Sequence, residues 1–146
     1  MNRNDFQQLA EIRVKEAKVL LDNQCFDGAY YLLGYAVECA LKSSISKQFK
    51  EHDFPNLQTV KDSYTHNLHK LLVIAGLKQQ LYNDGQAKPQ LLSNWMLITN
   101  WSEQFRYQHS MTQPTAQDFY NAVTDNQTGV LTWLKNFMSV KSLPMI

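Results

Sequence analysis

The chain has 146 residues, 44% of them hydrophobic and 18% charged, with 14 Lys and Arg against 13 Asp and Glu and a formal net charge of +1. That length and composition suit one globular domain able to bury its own core, and exclude a disordered chain. The near-zero charge excludes a global electrostatic footprint for nucleic acid or an acidic membrane and leaves only local basic patches.

The first segment, MNRNDFQQLAEIRVKEAK, is polar and amphipathic and carries no apolar signal core. From Asp5 to about Asn23 apolar residues recur at helical spacing: Phe6, Leu9, Ile12 or Arg13, Val14, Ala17, Leu20 and Leu21. Asn4 or Asp5 can cap this helix, and Asp22-Asn23 breaks it. A second helix is expected from Asp27 to Phe49. At about 100° per residue its apolar face carries Phe26, Ala29, Tyr30, Leu33, Val37, Ala40, Leu41 and Ser44. Leu32, Ala36 and Cys39 widen it on one side, Gly34 and Ile45 on the other. A narrow sector of Tyr31, Tyr35, Glu38, Lys42 and Ser46 stays polar or amphipathic. A helix apolar on most sides is central to its bundle or lies at a subunit interface. Gly28 and Gly34 weaken it, so close approach of a neighbouring helix is expected against them.

Lys50 to Thr65, with Pro55 inside, reads as a loop. Thr65 to Leu77 gives a short helix with Thr65 as cap and Gly76 as stop. Lys78 to Tyr82 reads as a turn and Asn83 to Pro89 as turn chemistry. A further helix begins near Pro89 with Leu91, Leu92, Trp95, Ile98 and Trp101. Thr112 to Pro114 is a break, and a last helix is expected from Thr115 to Val140, weakened at Gly129; Pro144 lies in a short tail. No strand alternation and no internal repeat is found. The expected architecture is all-α: an up-and-down helical bundle of four long helices plus one short helix, forming a single domain over 1–146.

Cys25 and Cys39 fall in or beside the second helix. At about 1.5 Å per residue they stand roughly 20 Å apart, too far for a disulfide. They are expected to be small buried or half-buried thiols in a reducing compartment. No Cys/His spacing resembles a zinc site, and no window approaches the ~18 apolar residues of a membrane span. A cytoplasmic protein without membrane association is expected. No Gly-rich phosphate loop or nucleophile motif is present, and nothing calls for a metal or a cofactor.

Three groups of residues could carry chemistry. Glu38 and Lys42 stand i, i+4 in the favourable order. They form either an ordinary ion pair worth a few tenths of a kcal/mol, or a carboxylate that orients a cation from another helix, with Arg106 as the candidate. His66 and His69 stand i, i+3 at the start of the short helix, suited to hydrogen bonding there. The stretch WSEQFRYQHS, Trp101 to Ser110, combines Glu103, Arg106, Tyr107 and His109. A guanidinium fits phosphate oxygens by paired hydrogen bonds, and an imidazole moves a proton near neutrality. Arg106 and His109 are therefore the candidate catalytic pair for metal-independent RNA cleavage. Glu38, His66, His69, Arg106 and Tyr107 are the candidate ligand-binding residues.

The order of three pieces, EAKVLLDNQCFDGAYYLLGYAVECALKSSI (16–45), HNLHKLL (66–72) and NWSEQFRY (100–107), resembles the HEPN domains, the nucleotide-binding domains shared by higher eukaryotes and prokaryotes. The resemblance implies a helical bundle that forms a homodimer. It also implies one of three roles: a nucleotide- or RNA-associated binding module, a metal-independent endoribonuclease of a toxin–antitoxin, CRISPR-associated or RNA-processing system, or a non-catalytic accessory subunit. Some members pair with a separate minimal nucleotidyltransferase. The nuclease members carry Arg, four to six residues, then His. Arg106 matches their arginine, whereas His109 follows after only Tyr107 and Gln108, so a ribonuclease reading requires atypical spacing. The binding module is the first expectation.

Overall fold

The protein is an all-α helical bundle, seen in a computed structural model that describes residues 3–51, 57–107 and 110–138. Among the described residues the elements are α1 (Arg3–Asp22), α2 (Phe26–Glu51), α3 (Leu57–Asp62), α4 (Leu68–Ile74), α5 (Lys78–Ala87), α6 (Pro89–Ile98), a short 3-10 helix (Glu103–Tyr107), α7 (Gln113–Thr124) and α8 (Val130–Met138). None of these helices is long and apolar enough to cross a membrane.

α2 is the axis of the bundle. It packs along α1 and also touches α4, α7, α8 and the 3-10 helix. This placement follows from its composition. Ala29, Leu33, Ala36, Val37, Ala40, Leu41 and Ile45 are all buried, so apolar surface points in most directions around the helix and neighbours must cover it. α1 contributes Ala10, Ala17 and Leu21 to the core, with Phe6, Leu9 and Val14 packed at its edge. Ile12, one of two residues expected on that inner face, is instead 47% exposed. α1 and α2 join through a turn in which Gln24 takes φ 64 and Cys25 N–H bonds Leu20 C=O at 2.8 Å.

Three helical boundaries differ from the sequence reading. Residues 57–62, expected as loop, form α3; Pro55 lies outside the described residues. Residues 78–87, expected as turns, form α5. Asn83, Asp84 and Gly85 are poor helix formers, yet here side-chain contacts within the helix and with its neighbours hold them helical. Gln79 and Gln80 reach Asn83 and Asp84 one turn on, Asp84 accepts the Trp133 indole N–H at 2.8 Å, and Gly85 is buried against Leu92. The expected last helix is two. It divides at Asp125, whose Oδ2 accepts from Gln127 N, Thr128 N and the Thr128 hydroxyl. Gly129 is required there, because a Cβ would lie 2.5 Å from the Asp125 backbone. Val140 and Pro144 lie outside the described residues.

Trp101, Phe105 and Met111 attach to α2 at three points. Trp101 lies over Gly34 and near Tyr31, with ring centroids 6.0 Å apart. Phe105 meets Tyr30 edge-on at 4.8 Å. Met111 N–H donates to Asp27 Oδ1 at 2.9 Å. Gly34 makes the first of these possible: a Cβ there would fall 2.2 Å from three atoms of the Trp101 ring. The close neighbour expected for Gly34 is therefore an indole rather than a helix backbone.

Candidate functional site

The site begins with an acid buried in the middle of α2. Glu38 is 2% exposed, and a carboxylate that deep is costly unless its oxygens are paired. Lys42 Nζ, one turn on, lies 3.2 Å from Oε2. The second partner comes from outside the helix: His66 Nδ1 lies 3.0 Å from both Glu38 oxygens. The opposite ring nitrogen of His66, Nε2, lies 3.2 Å from Glu103 Oε2 in the 3-10 helix.

His66 is therefore a tie among three elements: α2, the segment leading into α4, and the 3-10 helix. Carboxylates only accept hydrogen bonds. Both contacts are hydrogen bonds at once only when the ring carries both protons. In the neutral ring one of them is given up. The backbone around His66 is shaped to present it. Thr65 Oγ1 accepts from Asn67 N–H at 3.1 Å, and Asn67 Oδ1 caps α4 by accepting from Lys70 N–H at 2.9 Å. The cap is Asn67, two residues after the Thr65 expected from sequence; Gly76 ends the helix region with φ 73.

Two open clefts flank this tie and share Thr65. The first, of about 480 Å³, lies beside His66 and Glu103 and is walled by Asn67, Trp101, Ser102 and Gln104. Trp101 is 3% exposed, and its Nε1 has no hydrogen-bond partner among the described residues. The second, of about 550 Å³, lies between α3 and α4, with Lys61, His69 and Lys70 at its polar side and Val73 and Ile74 at its apolar side.

The residues singled out from sequence thus fall in different places. Glu38 and His66 meet directly. Glu38 also pairs with Lys42, so both carboxylate oxygens are engaged. His69 turns to the second cleft, away from His66. Tyr107 is 71% exposed at the end of the 3-10 helix. His109 and the Arg106 side chain lie outside the described residues. Glu103, Trp101, Lys61 and Lys70 join the site without having been singled out as binding residues. The sequence signal for Trp101 was Gly34, against which a neighbouring helix was expected.

The two cysteines differ. Cys25 is exposed, contrary to the buried or half-buried placement expected for it, because it sits in the α1–α2 turn. Cys39 is buried, and burial, reinforced by the neighbouring Glu38 charge, pushes its thiol up to about 12. No family model, curated protein or solved structure matches the chain.

Proposed function

We propose that this protein is a HEPN-like helical binding module whose ligand is a nucleotide or a segment of RNA, held on the surface formed by the two clefts either side of Thr65. The observation that carries this reading is the His66 tie. A buried acid is committed to fixing one surface histidine, and the segment so fixed divides a cleft with an aromatic and amide lining from one with a basic lining. Aromatic and amide groups suit a base, and cations suit phosphate. The near-neutral chain favours a short ligand over a long electrostatic track.

Fluorescence anisotropy with a labelled short RNA, competed by mononucleotides at moderate salt, tests the reading. Binding that weakens in His66→Ala supports it, and absence of any binding removes it in favour of an accessory subunit. RNA cleavage lost in both Arg106→Ala and His109→Ala would establish the endoribonuclease instead. The homodimer and the nucleotidyltransferase partner implied by the resemblance belong to the same proposal. Sedimentation at high concentration tests the first, and co-purification with a nucleotidyltransferase encoded beside it tests the second.

A further inference from the structure

The cleft between α3 and α4 stands apart from the others in charge. Of four clefts compared, one is lined by Asp118 and Asp125 without a cation, one balances Asp84 against Lys88, and the one beside His66 carries Glu103. The α3–α4 cleft carries Lys61 and Lys70 against a single acid, Asp62, together with His69. Asp62 is already engaged through Oδ1 by the Gln58 amide at 2.8 Å. Neither lysine forms a salt bridge among the described residues. In a chain of net charge +1, this is a local excess of positive charge at a concave surface.

We propose that this cleft is a phosphate-binding site and that the phosphate it takes is carried by a nucleoside. Lys61 from the last turn of α3 and Lys70 from α4 approach from the two helices as charged donors. The His69 ring can donate through a nitrogen. The Thr65 hydroxyl, whose oxygen already accepts from Asn67 N–H, has its proton left to donate. Charge-assisted bonds of this kind are the strong ones. The opposite wall is apolar: Val73, 49% exposed, and Ile74. Inorganic anions have no use for such a wall, whereas a nucleoside bears apolar faces that do. Through Thr65 the same ligand continues into the cleft beside His66, where Asn67, Ser102 and Gln104 offer hydrogen bonds to a base. The assignment of the organic body rests on the nucleotide-binding reading above; the phosphate site rests on the cleft alone.

Isothermal titration calorimetry with pyrophosphate, ADP and adenosine separates the two. The proteins are the full chain, Lys61→Ala/Lys70→Ala, and Asp118→Asn as a variant in a cleft remote from Thr65, each checked for folding by circular dichroism. Both lysines are exposed, so the double variant keeps the fold. The full chain is expected to bind ADP and pyrophosphate, and adenosine about tenfold more weakly than ADP. The double variant should lose about tenfold or more for both phosphates, while Asp118→Asn leaves pyrophosphate within about twofold. If ADP binding is indifferent to the two lysines, the phosphate site is overturned and the nucleotide reading stands. Should pyrophosphate bind and be lost in the double variant while ADP and RNA do not bind, the phosphate site stands and the nucleotide reading falls. Absence of binding by both phosphates at about 10 mM overturns the site outright.

Discussion

Glu38 and His66, 28 residues apart in sequence, meet with the His66 Nδ1 3.0 Å from both oxygens of a carboxylate that is 2% exposed. The acid is inside and the imidazole, whose side chain is 43% exposed, is at the surface. The contact therefore transmits the rigidity of α2 to the segment that enters α4. Removing the acid strands Lys42, whose side chain is 15% exposed, and releases His66. Glu38→Gln should cost about 3 kcal/mol, and His66→Ala about 1 kcal/mol because solvent screens the ring. Urea unfolding of both singles and the double should give a coupling near 1 kcal/mol. A coupling near zero would mean that the two side chains do not hold each other.

Gly34 and Gly28 lie on the same helix and should respond oppositely to alanine. At Gly34 the new Cβ meets the Trp101 ring at 2.2 Å, so the indole must leave its seat. Gly34→Ala should destabilise by about 2 kcal/mol and change the tryptophan emission. At Gly28 the Cβ meets only the flexible end of Leu20 at 3.1 Å. Gly28→Ala should be neutral or gain up to about 1 kcal/mol from helix propensity. Denaturant midpoints of the two variants check the contrast.

The thiols should differ in reactivity. Cys25 is exposed and should react with a thiol reagent in the folded protein, whereas Cys39 should react only on unfolding. Burial holds the Cys39 thiol protonated up to about 12, against an ordinary value of 9.0. The folded state then binds a proton that the unfolded state has released, so this contribution is complete below the ordinary value and stability falls as pH rises between the two. Tyr30 and Tyr35, also raised by burial, act in the same direction. Melting temperature should fall across that alkaline window, and less so in Cys39→Ala measured against its own neutral value.

Two aspartates set the acid side. The Trp133 indole and the Gln80 amide hold the Asp84 carboxyl below its usual range, and the backbone N–H groups of Thr128 and Gln127 do the same for Asp125. A depressed folded value means that the unfolded chain takes up the proton first as pH falls. The stabilisation is present above the ordinary aspartate value and is lost as pH drops through the folded one. Asp84→Asn and Asp125→Asn should each lower the melting temperature at neutral pH and flatten its decline in acid. Parallel curves for variant and parent would contradict the assignment.

The bundle was legible in the sequence where one periodicity governs a long segment. α2 follows from its apolar repeat almost residue by residue, and α6 begins at Pro89 as expected. Legibility failed where a side chain from elsewhere decides the backbone. Trp133 stabilises a helix through Asp84 in a stretch rich in turn formers, and Asp125 with Gly129 divides what reads as one helix. The site shows the same division. Glu38 was marked by being an acid in the middle of an apolar helix, and Lys42 by its spacing. His66 as the second partner depended on the path of the chain between α2 and α4, which local pattern does not encode. The basic cleft was hidden for a related reason: Lys61 and Lys70 belong to different helices, one of which reads as loop.

If the surface on both sides of Thr65 binds a nucleotide or RNA segment, the ligand perturbs the amides of that surface. Amide chemical-shift mapping during titration with ADP, and separately with a short RNA, tests it most directly. The shifts should concentrate in Lys61, Thr65 to Lys70 and Ser102 to Gln104, with a shift of the Trp101 indole N–H. Shifts confined to α5 through α8, or none at saturating ligand, would contradict it.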